Sequence, residues 1–274
     1  MLRRSSLAGL ALAGLILPSR LPAQFTPQDI AERPQWEEFL KTAEIVGFEK
    51  IGEGVTRPIR LSLKQGNMIA SGVWKNPSGI RGGYLEGWRY EIAAYELDKL
   101  LGLNMIPPTV EREFQGERGS LQLWVKVVMN DLERMKAHIP VPGVAAEHWE
   151  RMKYLTRAFD GLIANEDRTQ QNILYTEDGR TILIDHSRSF RSTDQFTERL
   201  VVGKNALGAR PLLIRQLPRL FVEKIKALDH SSLMISVGPW LEEREIESIL
   251  IRRKLLLDEI AGSIKELGED KALY

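Results

Sequence analysis

Three hydrophobic rhythms follow one another along this chain, and the changes of rhythm mark its parts. An unbroken apolar run from Leu7 to Leu17 comes after Arg3 and Arg4 and gives way to Pro18 and then Leu21-Pro22-Ala23. A basic start, a short apolar stretch and a small-residue exit are the features of a secretory signal peptide. Residues 1–23 are therefore expected to be removed and the mature chain exported to a secretory lumen, a periplasm or the exterior. The run is too short to span a bilayer, and no later stretch approaches the roughly 20 apolar residues of a transmembrane helix.

Residues 24–44 form a polar leader with one short helix. Pro34 suits a first helical turn, and Trp36, Phe39, Leu40 and Ala43 follow at helical spacing. Short runs rich in β-branched and apolar residues come next, Ile45 to Ile51, Ile59 to Leu63 and Met68 to Trp74, separated by Gly52-Glu53-Gly54 and Gln65-Gly66-Asn67. They predict an antiparallel meander. Trp88 to Leu101 carries apolar residues at three and four spacing and stops at Gly102, as a glycine-capped helix does. Thr109 to Phe114 and Ser120 to Val128 predict two more strands, joined through residues 115–119.

Helical spacing then dominates. Ala145 to Ala164 predicts a helix burying Trp149, Met152, Leu155, Phe159 and Leu162 or Ile163, and residues 210–232 and 240–268 read as further helices. The expected fold is α+β: a small lobe, residues 45–129, with a five-stranded antiparallel sheet and one helix, and a mainly helical large lobe, residues 130–274.

A hairpin interrupts the helical part. Ile173 to Thr176 and Thr181 to Ile184 flank Asp178-Gly179, a dipeptide favoured in two-residue type I′ loops. With that loop, Glu177 faces Arg180, Tyr175 faces Ile182 and Asn172 faces Asp185 as a non-hydrogen-bonded pair, Cα atoms about 4.5 Å apart and both side chains on one face. An amide and a carboxylate converging this way suit Mg²⁺, which fills its octahedron with phosphate oxygens and water. Asp167 lies five residues before Asn172, at the exit of the Ala145–Ala164 helix, where a loop carboxylate can take the proton of an attacking hydroxyl. Arg168 beside it either pairs with a phosphate or holds the aspartate in place.

Composition adds exclusions. With 38 Lys and Arg against 37 Asp and Glu among 274 residues, there is no basic field of the kind that nucleic-acid binding needs. The absence of cysteine excludes disulfides, thiolate metal sites and a cysteine nucleophile. His138, His148, His186 and His230 show no paired metal spacing, so surface or packing roles are expected for them. No serine-nucleophile elbow or Walker A loop occurs, since Gly203-Lys204 is followed by Asn205 and lacks the upstream glycine.

Asp167, then Asn172 after four intervening residues, then Asp185 eighteen after the first, on a loop joined to a hairpin, resembles the catalytic-loop and metal-ligand pattern of protein-kinase-like enzymes. The form Asp-Arg-x-x-x-Asn-Ile is similar to the phosphoinositide 3- and 4-kinases, the HipA-type kinases and the atypical secretory-pathway kinases. The resemblance covers about residues 50–190.

It implies a bilobal kinase-like fold that binds ATP with Mg²⁺ and transfers the γ-phosphoryl group to a hydroxyl acceptor. Asp167 is then the base, Asn172 and Asp185 the metal ligands, Lys75 at the end of Val73-Trp74-Lys75 the phosphate-gripping lysine and Glu91 its partner on the next helix. Gly52, Gly54 and Thr56 would cover the triphosphate, and Met129, at the lobe boundary, completes the nucleotide-binding set. The chain departs from typical protein kinases in reading Asn165-Glu166-Asp167 without His-Arg-Asp, and Asp185-His186-Ser187 without Phe-Gly. A secreted pseudokinase that keeps the fold as a nucleotide- or protein-binding module, and an enzyme transferring AMP on the same scaffold, therefore stay open.

Overall fold

In a computed structural model, which describes residues 26–52, 58–141, 146–200 and 214–274, the chain folds into a sheet-rich part followed by a helical part. Helix α1 (Pro27–Thr42) opens with a capping box: the Thr26 hydroxyl accepts from the Asp29 N–H at 3.1 Å, and the Asp29 carboxylate accepts from the Thr26 N–H at 2.7 Å. The helix thus begins seven residues before the position expected from Pro34, which instead lies inside it on an exposed side. Two satisfied donors at Thr26 outweigh the starting preference of a later proline.

Strands β1 (Glu44–Lys50), β2 (Ile59–Gln65), β3 (Met68–Lys75), β6 (Thr109–Phe114) and β7 (Glu117–Leu123) form one antiparallel sheet in the order β1-β2-β3-β7-β6. The expected five-stranded sheet and its meander are present. The β6–β7 turn is tighter than expected: Gln115 and Gly116 both adopt positive φ, 54° and 81°, so β7 starts at Glu117 and has ended before Val128. One sheet face, with Leu61, Leu63, Trp74, Val110, Phe114 and Leu121, packs on Phe39, Leu40 and Ala43. Each such side chain contributes about 1.5–3 kcal/mol on burial. Because Trp74 points into this core, pleating turns its neighbour Lys75 to the opposite face.

Between β3 and α2 (Trp88–Leu101) the chain adds a hairpin that the sequence reading missed, β4 (Ser78–Arg81) and β5 (Tyr84–Gly87), turned by Gly82 and Gly83 at φ 57° and 85°. Helix α2 ends as expected, with Gly102 at φ 71° and Leu103 N–H bonded back to Asp98.

The helical part contains β8 (Met129–Asn130), α3 (Asp131–Ala137), α4 (Ala146–Ile163), β9 (Ile173–Tyr175), β10 (Thr181–Leu183), α5 (Asp194–Thr197), α6 (Arg219–Ala227), α7 (His230–Val237), α8 (Glu243–Leu267) and α9 (Glu269–Ala272). Its core joins Met152, Leu155 and Phe159 of α4 to Ile246, Ile249 and Leu256 of α8, and α2 contributes Tyr95, Leu97 and Leu101 to the same core. Trp149, expected in that buried face, is half-buried and donates to the Tyr175 hydroxyl. The single helix expected over 210–232 is two helices, because Pro218 sets the start of α6 and Asp229 caps α7. No helix among the described residues is long and apolar enough to cross a membrane. The expected signal peptide, together with Gly54 and Thr56, lies outside the described residues.

Candidate active site

The site is assembled where β3, α2, the exit of α4 and the end of β10 meet. Lys75, the last residue of β3, donates to Glu91 Oε1 at 2.9 Å and to Asp185 Oδ1 at 3.0 Å. These three charges come from positions 16 and 110 residues apart along the chain. Burial opposes the lysine's charge, but Asp185 and Glu91 outweigh it and hold its pKa above the usual lysine range. Burial likewise opposes ionisation of Glu91, and Lys75 with the His186 contacts wins, holding that carboxyl below the usual carboxylate range. The second Glu91 oxygen accepts the His186 backbone N–H at 2.9 Å, so one glutamate fixes both the lysine and the peptide directly after Asp185.

The loop after α4 is organised from beneath. Asp160 is wholly buried and receives the Arg168 guanidinium in a fork, Nε at 2.8 Å and Nη2 at 3.0 Å. Arg168 Nη1 donates to the carbonyls of Asn172 and Ile184 at 3.0 and 2.7 Å, so the backbone beside both expected metal ligands hangs on this one side chain. Arg168 does not hold Asp167, the aspartate beside it in the sequence; only 4% of its side chain is exposed, and it is spent on Asp160 and the loop backbone. Asn165 donates to Asp160 at 3.0 Å and accepts the Asp167 N–H at 3.1 Å, which sets the backbone of the candidate base.

His186 was expected on the surface or in packing, and it stands inside this network, fully buried. Its Nε2 faces Arg168 Nη2 at 2.8 Å, which makes Nε2 the acceptor and puts the ring proton on Nδ1, 3.7 Å from Glu91 Oε2. Burial lowers its pKa, so the ring is neutral. No sequence spacing flagged it, because its surroundings are contributed by residues far away in the chain.

The hairpin register differs from the expected one. Thr181 pairs with Tyr175 and Leu183 with Ile173, and the Ile184 N–H bonds to the Asn172 carbonyl, so the loop has three residues, 177–179, and not two. The cause is Thr176: its hydroxyl accepts the Arg180 N–H at 2.9 Å and donates to Asp178 at 2.6 Å, leaving Gly179 alone at φ 80°. Asn172 and Asp185 are therefore not a facing pair. Asp185 instead leaves the strand at φ 61°, which ends its alternation and re-aims the carboxylate. Asn172 is buried, and its Nδ2 donates to the Asp167 carbonyl at 3.3 Å.

Of the other expected site residues, Gly52 adopts φ 73° at the start of the loop that the Ile51 N–H to Pro58 carbonyl bond closes, and Met129 pairs with Tyr175 on the hairpin. Asp167 Oδ2 lies 3.1 Å from Arg188, a residue that the sequence reading did not single out.

Most of the chain superposes on solved structures that include two kinases. A structure of hydra Fam20 with sugar matches at TM-score 0.65 with 16% identity, over 93% of this chain and 95% of that one. The chain thus has a kinase-like fold. The Golgi casein kinase with Mn/ADP bound matches at TM-score 0.59 with 14% identity over 89% of this chain and 79% of that one. The Helicobacter pylori proinflammatory kinase CtkA matches at 0.53 with 11% identity over 86% and 98%. In sequence, Protein Rv2133c of Mycobacterium tuberculosis is 30% identical over an alignment of 140 residues that covers 42% of this chain and 48%, about half, of that protein. No protein-family model matches the chain.

Proposed function

We propose that this kinase-like chain is an ATP- and Mg²⁺-dependent phosphotransferase acting on a hydroxyl acceptor. The observation that carries the reading is Lys75 bridging Glu91 and Asp185, a lysine held in place and charged at the end of a strand beside a carboxylate able to bind a metal. In the proposed step the acceptor oxygen forms a bond to the γ-phosphorus as the bond to the β-phosphate oxygen breaks. Asp167 takes the hydroxyl proton and ADP leaves. Lys75 binds the α- and β-phosphates, residues 45–129 serve as the nucleotide-gripping lobe and residues 130–274 carry the base and metal ligands.

The chemistry of the donors, and not the facing register first expected, suits a divalent ion. Asn172 spends its N–H on the Asp167 carbonyl and keeps its amide oxygen as a ligand, and Asp185 supplies one carboxylate. Bound there with the phosphates, Mg²⁺ would neutralise charge developing on the transferred group. Mn/ADP in the Golgi casein kinase supports nucleotide with metal, and the sugar with hydra Fam20 makes polyhydroxylated acceptors the first to try.

A second reading, an exported binding module without turnover, is favoured by the cationic partners that both Asp185 and Asp167 carry, Lys75 and Arg188. Asp167→Asn separates the two. The phosphotransferase reading expects loss of turnover with nucleotide affinity near wild type; equal, slow ATP loss in both proteins with every acceptor supports the binding module.

A further inference from the structure

The β4–β5 hairpin leaves the chain between the lysine strand and the glutamate helix, yet it adds nothing apolar to either core. Ile80 and Leu85, a cross-strand pair, are 78% and 42% exposed. Its only buried side chain among those described is a carboxylate, Glu86. Burying a carboxylate is costly unless it is paired, and an apolar residue anchors a hairpin better. The pairing it finds leads to the candidate base. Glu86 Oε1 accepts Arg188 Nε at 2.7 Å and Nη2 at 2.6 Å, the guanidinium lies 4.4 Å from the Tyr84 ring centre, and its remaining arm, Nη1, reaches Asp167 Oδ2 at 3.1 Å.

A parallel arm runs beside it: Arg191 joins the Leu85 carbonyl to Glu166, and the Gly87 N–H bonds to the Ser187 carbonyl at 2.9 Å. Consecutive residues of the hairpin are thus tied through two arginines to consecutive residues of the catalytic loop. A planar guanidinium presents donors in two directions and can bridge two carboxylates at fixed angles, which a lysine ammonium on a flexible stem cannot do.

We propose that Glu86 and Arg188 are positioning residues for Asp167: Glu86 holds the guanidinium, and the guanidinium directs the carboxylate that receives the acceptor proton. The inference rests on the reading of Asp167 as base, and its test does not require turnover.

The protein is labelled with aspartate carrying an isotope at the side-chain carboxyl carbon, and the Asp167 resonance is identified by its loss in Asp167→Asn. Glu86→Gln, which does not touch Asp167, should move that resonance, while Ile80→Ala on the same hairpin should leave it in place. Should Glu86→Gln not fold, Arg188→Lys, which keeps the charge and loses the bridge, must move the same resonance. A resonance unmoved by these variants, or moved equally by Ile80→Ala, overturns the proposal. Where an acceptor is turned over, Glu86→Gln should lower kcat by up to about a hundredfold, the cost of displacing a reacting group by about 1 Å, with the KM for nucleotide unchanged. Absence of any transfer by wild type would remove the proposed function and still leave the resonance to decide this point.

Discussion

Replacing Arg168 by Met removes the cation under the loop after α4 while keeping its apolar stem. Asp160, with no exposure, would keep only the Asn165 amide as a side-chain partner, the Ile184 carbonyl would lose the guanidinium, and the Asn172 carbonyl would keep only the Ile184 N–H. Breaking a buried pair by removing one partner costs about 3–5 kcal/mol, because the other charge stays buried and unpaired. At about 2–4 °C per kcal/mol for a domain of this size, Arg168→Met should melt roughly 6–20 °C below wild type. Adding Asp160→Asn removes the stranded charge and should recover part of the loss. Thermal and urea unfolding of the two variants measure both numbers. If Arg168→Met unfolds within about 1 kcal/mol of wild type, the range of an exposed pair, and loses nucleotide affinity instead, Arg168 is a phosphate ligand and the buried-anchor account is wrong.

Three further outcomes follow from the geometry. A Cβ added at Gly119 would sit 2.5 Å from the Lys75 carbonyl and 2.8 Å from the Trp74 ring, so Gly119→Ala should push β3 away from β7 and weaken nucleotide binding through Lys75; calorimetry showing wild-type affinity would contradict this. Burial raises the Asp98 pKa to about 7 against the Met105 N–H that it accepts, so the folded state holds a proton that the unfolded chain has released. Stability should therefore fall as pH rises from about 4 through 7, by no more than about 4 kcal/mol, and Asp98→Asn should flatten that slope; an unchanged slope refutes it. If Asn172 and Asp185 are the two protein ligands of the proposed metal, nucleotide affinity should drop in excess chelator, and tight binding that ignores the chelator would show that the pair is not a metal site.

What the sequence made legible follows from where each signal lies. The meander, α2 and its Gly102 cap, and the strand-end lysine with its helix glutamate were readable because turn glycines and apolar periodicity are local. The start of α1 was misplaced although Thr26 and Asp29 are a local capping signature, because Pro34 gave a competing one. The β4–β5 hairpin was invisible for a physical reason: it buries no apolar face, so it writes no alternation into the sequence. The hairpin register failed by one residue because the Thr176 hydroxyl supports a three-residue loop around the same Asp-Gly. Arg188 and Asp160 carry no motif at all, and His186 shows in the sequence only as a departure from Asp-Phe-Gly; their roles exist only once distant segments are brought together.

The most direct test of the central claim is mass-spectrometric product analysis of the chain incubated with ATP, Mg²⁺ and protein, lipid and sugar acceptors in turn. The account predicts an acceptor that gains one phosphoryl group on a hydroxyl as ADP appears, with both signals lost in Asp167→Asn. An acceptor carrying AMP with release of pyrophosphate, or nucleotide bound and returned unchanged with every acceptor, would contradict it.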